Sequence, residues 1–206
     1  MRATTPNYLE AGYLLSAYSE CLGWEGDDAG AQKALANAMA IAKHEGDLTL
    51  EMVTLVNAAA VDVQHWRLQG SLDKSLQAIE LAQQVADPLP GRPAYLHASR
   101  AAYNRADLPA ARRYAETYLT LSERTGNPAY LATALYLNQK VAALGGDWQT
   151  ARDFFDRGLH EVPQNTTLML VSVQTVVEYA VGDFKQGEAL LGRLVDIFHS
   201  APLEPD

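Results

Sequence analysis

Apolar residues along this chain gather into periodic stretches rich in alanine and leucine, with glycine and proline between them. That arrangement predicts helices separated by stops. The stretch "GGDWQTARDFFDRGLHEVPQN", residues 145–165, shows the order most fully. A glycine turn is followed by an aromatic at Trp148, a small residue at Ala151, a second aromatic at Phe155 and a proline at Pro163. The frame of turn residue, bulky residue and small residue recurs as Gly26, Asp28 and Ala31; Gly70, Leu72 and Ser75; Ala106, Leu108 and Ala111; Gly146, Trp148 and Ala151; and Gly182, Phe184 and Gly187. Its middle positions, 28, 72, 108, 148 and 184, are 44, 36, 40 and 36 residues apart. A period of this size predicts stacked helical hairpins.

Each part of the frame has a physical reason. Glycine takes the left-handed conformation that stops one helix, and aspartate, as at Asp147 and Asp183, caps the next. The bulky residue packs back on the preceding helix, and the small one sits where two helices touch. Proline at 88, 128, 163 and 202 then stops the second helix. First helices are expected over about 6–23, 48–69, 92–105, 128–144 and 166–181, and second helices over about 27–45, 71–86, 108–125, 147–160 and 183–199, with ends uncertain by roughly 2–4 residues. The repeats run over about 8–46, 47–87, 91–126, 127–163 and 164–200. The longest connection, "ADPLPGRPAY" at 86–95, is the expected hinge, within a single repeat domain over 1–206.

Trp148, Ala151, Phe155, Gly158 and Pro163 resemble, in order, the aromatic, alanine, aromatic, small and proline positions in the second half of a tetratricopeptide (TPR) repeat. In the first half Leu135, Asn138, Gln139 and Ala142 stand where that family favours Trp, Leu, Gly and Tyr. The resemblance implies an all-α fold, a right-handed α-solenoid of five antiparallel hairpins. Long, alanine-rich, degenerate repeats of this kind also resemble the sensor modules of LuxR-family bacterial regulators of the maltose-activator type. That likeness implies a protein-interaction segment within a larger signalling or transcriptional regulator. A freestanding adaptor that holds a partner's peptide is the alternative.

Composition narrows the function. Lys plus Arg number 16 against 25 Asp plus Glu, a net charge of −9 with no basic run, so direct nucleic-acid contact and attraction to anionic membranes are not expected. The apolar run "LMLVSVQTVVEYAVG" carries Gln174 and Glu178 and is too short and polar to span a bilayer. "MRATTPNYLEAGYLL" is interrupted by Asn7 and Glu10, so no secretory leader is expected. One cysteine, Cys21, excludes an internal disulfide and points to a reducing, cytoplasmic setting; a buried thiol is expected there. His44, His65, His97, His160 and His199 lack metal-ligand spacing, and no phosphate-binding or nucleophile motif occurs. The chain reads as a binding module without catalysis, cofactor or metal.

In the TPR family the first helices line a concave face. Carried over residue by residue, that implies a groove of Asn57, Gln64, Arg67, His97, Arg100, Tyr103, Asn104, Tyr136 and Lys140, continued in the last repeat by Met169, Ser172, Val176 and Tyr179. Arg67, Arg100 and Lys140 on one face of an acidic chain suit an acidic peptide or an anionic small molecule. The other reading is a solvated face whose cations pair with neighbouring carboxylates. The last hairpin carries Phe184, Leu190, Leu191, Leu194, Val195, Ile197 and Phe198. So apolar a terminal face calls for cover, by a further repeat or by self-association with a second subunit.

Overall fold

The computed structural model describes residues 8–163 and 166–200, apart from the side chains of Phe198 and Ser200. Pro202 as a helix stop and Phe198 as part of the terminal face lie outside the described residues. Ten α-helices follow in order: α1 Tyr8–Glu25, α2 Asp28–Glu45, α3 Leu48–Gln64, α4 Leu68–Ala82, α5 Pro93–Asn104, α6 Leu108–Glu123, α7 Pro128–Leu144, α8 Trp148–Glu161, α9 Leu168–Val181 and α10 Phe184–Ser200. Among the described residues there is no strand, and the fold is all-α. The chain forms two compact units, Met1–Tyr114 and Ala115–Asp206, with the division inside α6.

The tight turn within each hairpin is one motif built five times. A residue at positive φ ends the first helix: Gly26, Trp66, Ala106, Gly146 and Gly182. The next residue sends its N–H back to a carbonyl five positions earlier, as from Asp147 to Ala142 at 3.0 Å and from Arg67 to Asp62 at 2.8 Å. This closes the helix end by the Schellman pattern. The small residue four further on then donates to that same residue's carbonyl at 2.9–3.0 Å. Ala31, Ser71, Ala111 and Ala151 are wholly buried there, and Gly187 is buried too. A Cβ on Gly187 would come within 2.9 Å of Tyr179 Cε2, so a larger residue there requires the Tyr179 ring to shift.

One frame sits elsewhere than glycine spacing suggests. In the second hairpin the left-handed residue is Trp66, at φ 58°, and Gly70 lies inside α4. The second frame is therefore Trp66, Leu68 and Ser71, four residues earlier than Gly70, Leu72 and Ser75. The middle positions become 28, 68, 108, 148 and 184, spaced 40, 40, 40 and 36. This shift also ends α3 at Gln64 rather than near 69.

The first unit packs α1 against α2 and α3, and α4 against α3 and α5. Its core joins Leu22, Ala31, Ala34, Leu35, Ala58 and Val61, then Met52, Val56, Ala78 and Ala94. The stretch expected as a hinge forms a short 3-10 helix, Leu89–Gly91, packed on α3 and α4, with Gly91 buried beside Met52. Pro93 and Pro128 open α5 and α7 at a position where the missing N–H costs nothing, so Pro128 starts a helix as well as following one. In the second unit α7, α8 and α9 pack mutually, and α10 packs on α9. Cys21 is exposed on α1, which corrects the expectation of a buried thiol.

Candidate functional site

Four of the groove residues expected in the first unit, Arg67, Asn57, Gln64 and His97, have structural roles. Arg67 stands in the α3–α4 turn as the residue preceding α4, where the other hairpins have aspartate. Its guanidinium grips Asp28 with two bonds, 2.9 and 2.8 Å, and Asp62 through Nε at 2.7 Å. Lys74 completes the cage around Asp62, whose side chain is 2% exposed. The Arg67 bond holds the Asp28 carboxyl below its usual pKa. The shifted frame thus misplaces Arg67 on the groove; its charge ties three helices together and is not a groove cation.

Asn57 donates to Ser16 Oγ at 2.9 Å and links α3 to α1. Gln64 turns inward against Gly23, with a buried Oε1. His97 is buried, not exposed to a groove, and desolvation with the nearby Arg100 charge lowers its pKa to about 3. It is a neutral core imidazole at any ordinary pH. Arg100 and Tyr103 are half-buried, and Asn104 is exposed at the end of α5.

Tyr136 and Lys140 behave differently. They lie one turn apart on α7, and the Lys140 ammonium sits 5.9 Å from the Tyr136 ring centre. Both line a cleft of about 390 Å³ within the second unit. Ala143 and Leu144 continue the α7 wall, Trp148 opens α8 as a second wall, and Ser172, Val173, Val176 and Ala180 form the α9 wall. Ala143, Trp148 and Val173 rest in turn on the core residues Ala142, Ala151 and Val177, so the floor is fixed by packing. Val176 and Leu144 are 67% and 51% exposed at the rim. Among the described residues that line it, none is a carboxylate.

The cleft stands beside a buried polar chain that fixes the separation of α7 and α9. Gln139 donates to Gln174 Oε1 at 3.0 Å, and Gln174 donates to Glu178. Glu178 also accepts from Arg152 of α8, which lowers the Glu178 pKa. Met169 and Tyr179, the other two positions carried over for the last repeat, are exposed on α9 outside the cleft lining. Four positions carried over for the groove, Tyr136, Lys140, Ser172 and Val176, fall on the cleft lining, and Trp148, read in the sequence only as a packing residue, lines it too. Of the terminal face, Phe184, Leu191 and Val195 are exposed, whereas Leu190 is buried.

This architecture defines a TPR-like helical-repeat fold. BtubC (BKLC) from P. vanneervenii superposes with a TM-score of 0.78 at 15% identity, covering 97% of this chain and 87% of that one. A Podosopora anserina putative kinesin light chain with nearly identical TPR-like repeats gives 0.75 at 10% identity, covering 97% and 100%. A point-substituted form of that kinesin light chain gives 0.75 at 11% identity, covering 94% and 97%. No family model matches the sequence, and no curated protein matches it. At these identities the likeness is one of fold. No described helix is long and apolar enough to cross a membrane.

Proposed function

We propose that the chain is a non-catalytic binding module, the sensor and protein-interaction segment of a bacterial multidomain regulator working in the cytoplasm. The reading takes residues 1–206 as one repeat domain that contacts neither nucleic acid nor membrane directly. The observation that carries it is the α7–α8–α9 cleft, a preformed apolar recess on rigid helices with few polar groups, which is the usual form of a binding site. The TPR-like fold supports a role in holding other proteins, and the regulator setting rests on the sequence resemblance of the long, alanine-rich repeats alone. A freestanding adaptor is the second reading, favoured by the apolar residues Phe184, Leu191 and Val195 exposed on α10 as a further docking face.

Two measurements test this. The coding sequence on either side of residues 1–206 separates the readings: an ATPase module before it or a helix-turn-helix module after it selects the regulator. Photo-crosslinking in cells tests the binding role itself. A photoreactive residue at position 176 is expected to capture a discrete protein or small-molecule adduct, and one at the exposed Asp156 is not. Equal, diffuse labelling from both positions would refute a binding role for this face.

A further inference from the structure

Three exposed positions on α1 have counterparts in every later first helix. On the turn frame, with its spacings of 40, 40, 40 and 36, Leu14 matches Thr54, Ala94, Ala134 and Leu170. Tyr18 matches Ala58, Ala98, Asn138 and Gln174, and Cys21 matches Val61, Ala101, Val141 and Val177. All of these counterparts are buried, whereas Leu14 is 70% exposed, Tyr18 is 56% exposed and Cys21 is exposed too. The buried ones meet the preceding hairpin. Ala58 and Val61 join the core of Leu22, Ala34 and Leu35, and Ala94 joins Met52 and Ala78. Asn138 and Gln174 bond to Ala115 and Gln139. The receiving side shows the same contrast on the last hairpin. Leu35, Ser75, Ala115 and Phe155 are buried in the four earlier second helices, and their counterpart Leu191 on α10 is 46% exposed.

We infer that copies of this chain associate head to tail, α1 of one copy lying on α9 and α10 of another as α3 lies on α1 and α2. The two exposed faces are the two halves of the interface that the chain already builds between its own hairpins. A second copy therefore supplies the missing half at either face with no other protein. The end of a self-contained helical repeat is polar on its outer side, and Leu14, Tyr18, Trp24 and Leu191 depart from that. Pairing α1 with α1 would be self-complementary but would leave Leu191 bare, whereas the head-to-tail contact joins unlike faces and uses both. The contact lays one helix of 18 residues, about 27 Å long, on one hairpin. That is small beside the roughly 800 Å² per partner of a stable interface, so the association is expected to be weak and concentration-dependent. The inference is independent of which reading above, regulator segment or adaptor, holds.

Sedimentation velocity on the 206-residue chain, from low micromolar to millimolar, is expected to show mass rising with concentration. Tyr18→Glu charges only the α1 face and Leu191→Glu only the α10 face. Both positions are exposed, so helical content by circular dichroism should stay unchanged. Each variant alone should remain monomeric, because every copy lacks the same half. An equimolar mixture should recover a one-to-one complex and nothing larger, α1 of the Leu191→Glu chain lying on the last hairpin of the Tyr18→Glu chain. A second measurement uses Cys21. Within the chain a Cβ on Gly23 would stand 3.3 Å from Val61 Cγ2, and the matching positions are 21 on α1 and 179 on α9. Diamide, which takes up the two thiol hydrogens, should therefore join Tyr179→Cys chains into disulfide-linked oligomers and leave the parent chain unlinked. A parent chain that stays monomeric at millimolar concentration would overturn the inference and leave both faces to segments or proteins other than this chain. Self-association by either variant alone, or parent dimers linked through Cys21 of each copy, would also overturn it, since like faces would then be pairing. So would a mixture that stays monomeric.

Discussion

Two buried carboxylates occupy equivalent places in the two units, and they are neutralised in different ways. Asp62 and Glu178 each lie four residues before the left-handed residue of their turn, where the other hairpins have Leu22, Ala102 and Ala142. In the first unit the cation comes from inside the turn: Arg67 replaces the capping aspartate, and Lys74 adds a second charge. That hairpin loses the side-chain cap that Asp27, Asp107, Asp147 and Asp183 supply to theirs. In the second unit Asp183 stays as the cap, and the cation is borrowed from the preceding hairpin as Arg152. An acidic residue in a slot built for a small apolar one thus requires a compensating cation. Where that cation comes from decides whether a turn or a helix–helix contact depends on it.

The comparison breaks first at Arg152. Arg152→Ala leaves Glu178, 4% exposed, with only the Gln174 amide. The expected loss is about 2–4 kcal/mol in urea denaturation, somewhat under that of a wholly buried pair because the guanidinium is partly solvated. Arg67→Ala should cost less, about 1–2 kcal/mol, because Lys74 still holds Asp62. Equal losses, or the reverse order, would show that the two carboxylates are not sustained as described.

Acid sharpens the same contrast. The Arg152 bond holds the folded Glu178 carboxyl below its ordinary pKa of 4.5. Its contribution to stability is therefore complete above about pH 4.5 and is lost as pH falls through the lower folded value. Arg152→Ala should flatten the fall of urea midpoint below pH 4.5, and Arg67→Ala should leave the Glu178 part of that fall in place. The smallest expected effect is at the turn itself. Trp66→Gly, in the same left-handed position that glycine fills at Gly146, should raise stability by about 0.5–1 kcal/mol, the left-handed cost less the glycine entropy. A lower thermal midpoint would mean that the exposed indole has a packing role.

Much of the fold was legible because the turn chemistry is local. Glycine at 26, 146 and 182 and alanine at 106 marked four of the five turns. The fifth was hidden because Trp66 takes a conformation that sequence reserves for glycine, while Gly70 nearby offered a false marker. That four-residue error carried Arg67 and Gln64 onto a supposed groove face. The site was legible only in part. Helical spacing put Tyr136 with Lys140 and Ser172 with Val176, since positions three to four apart share a face. It had no means of showing that His97 faces inward, because an imidazole in an alanine-rich helix has the same spacing on either face.

The hairpin turns and the return connections place different demands on chain length. Every hairpin turn repeats the same pair of backbone bonds, from the residue after the left-handed one back to the first helix and from the small residue back to the turn. A residue inserted there would misalign both bonds and drive a side chain into the contact that Ala151 or Gly187 occupies. From α4 onward the return connections obey no such rule: α4 to α5, α6 to α7 and α8 to α9 span 83–92, 124–127 and 162–167. A tag or reporter loop grafted into 124–127 should leave the repeat intact, and the same graft at 145–147 should not. Length variation is thereby expected at the return connections, and the five tight turns act as fixed rulings along the chain.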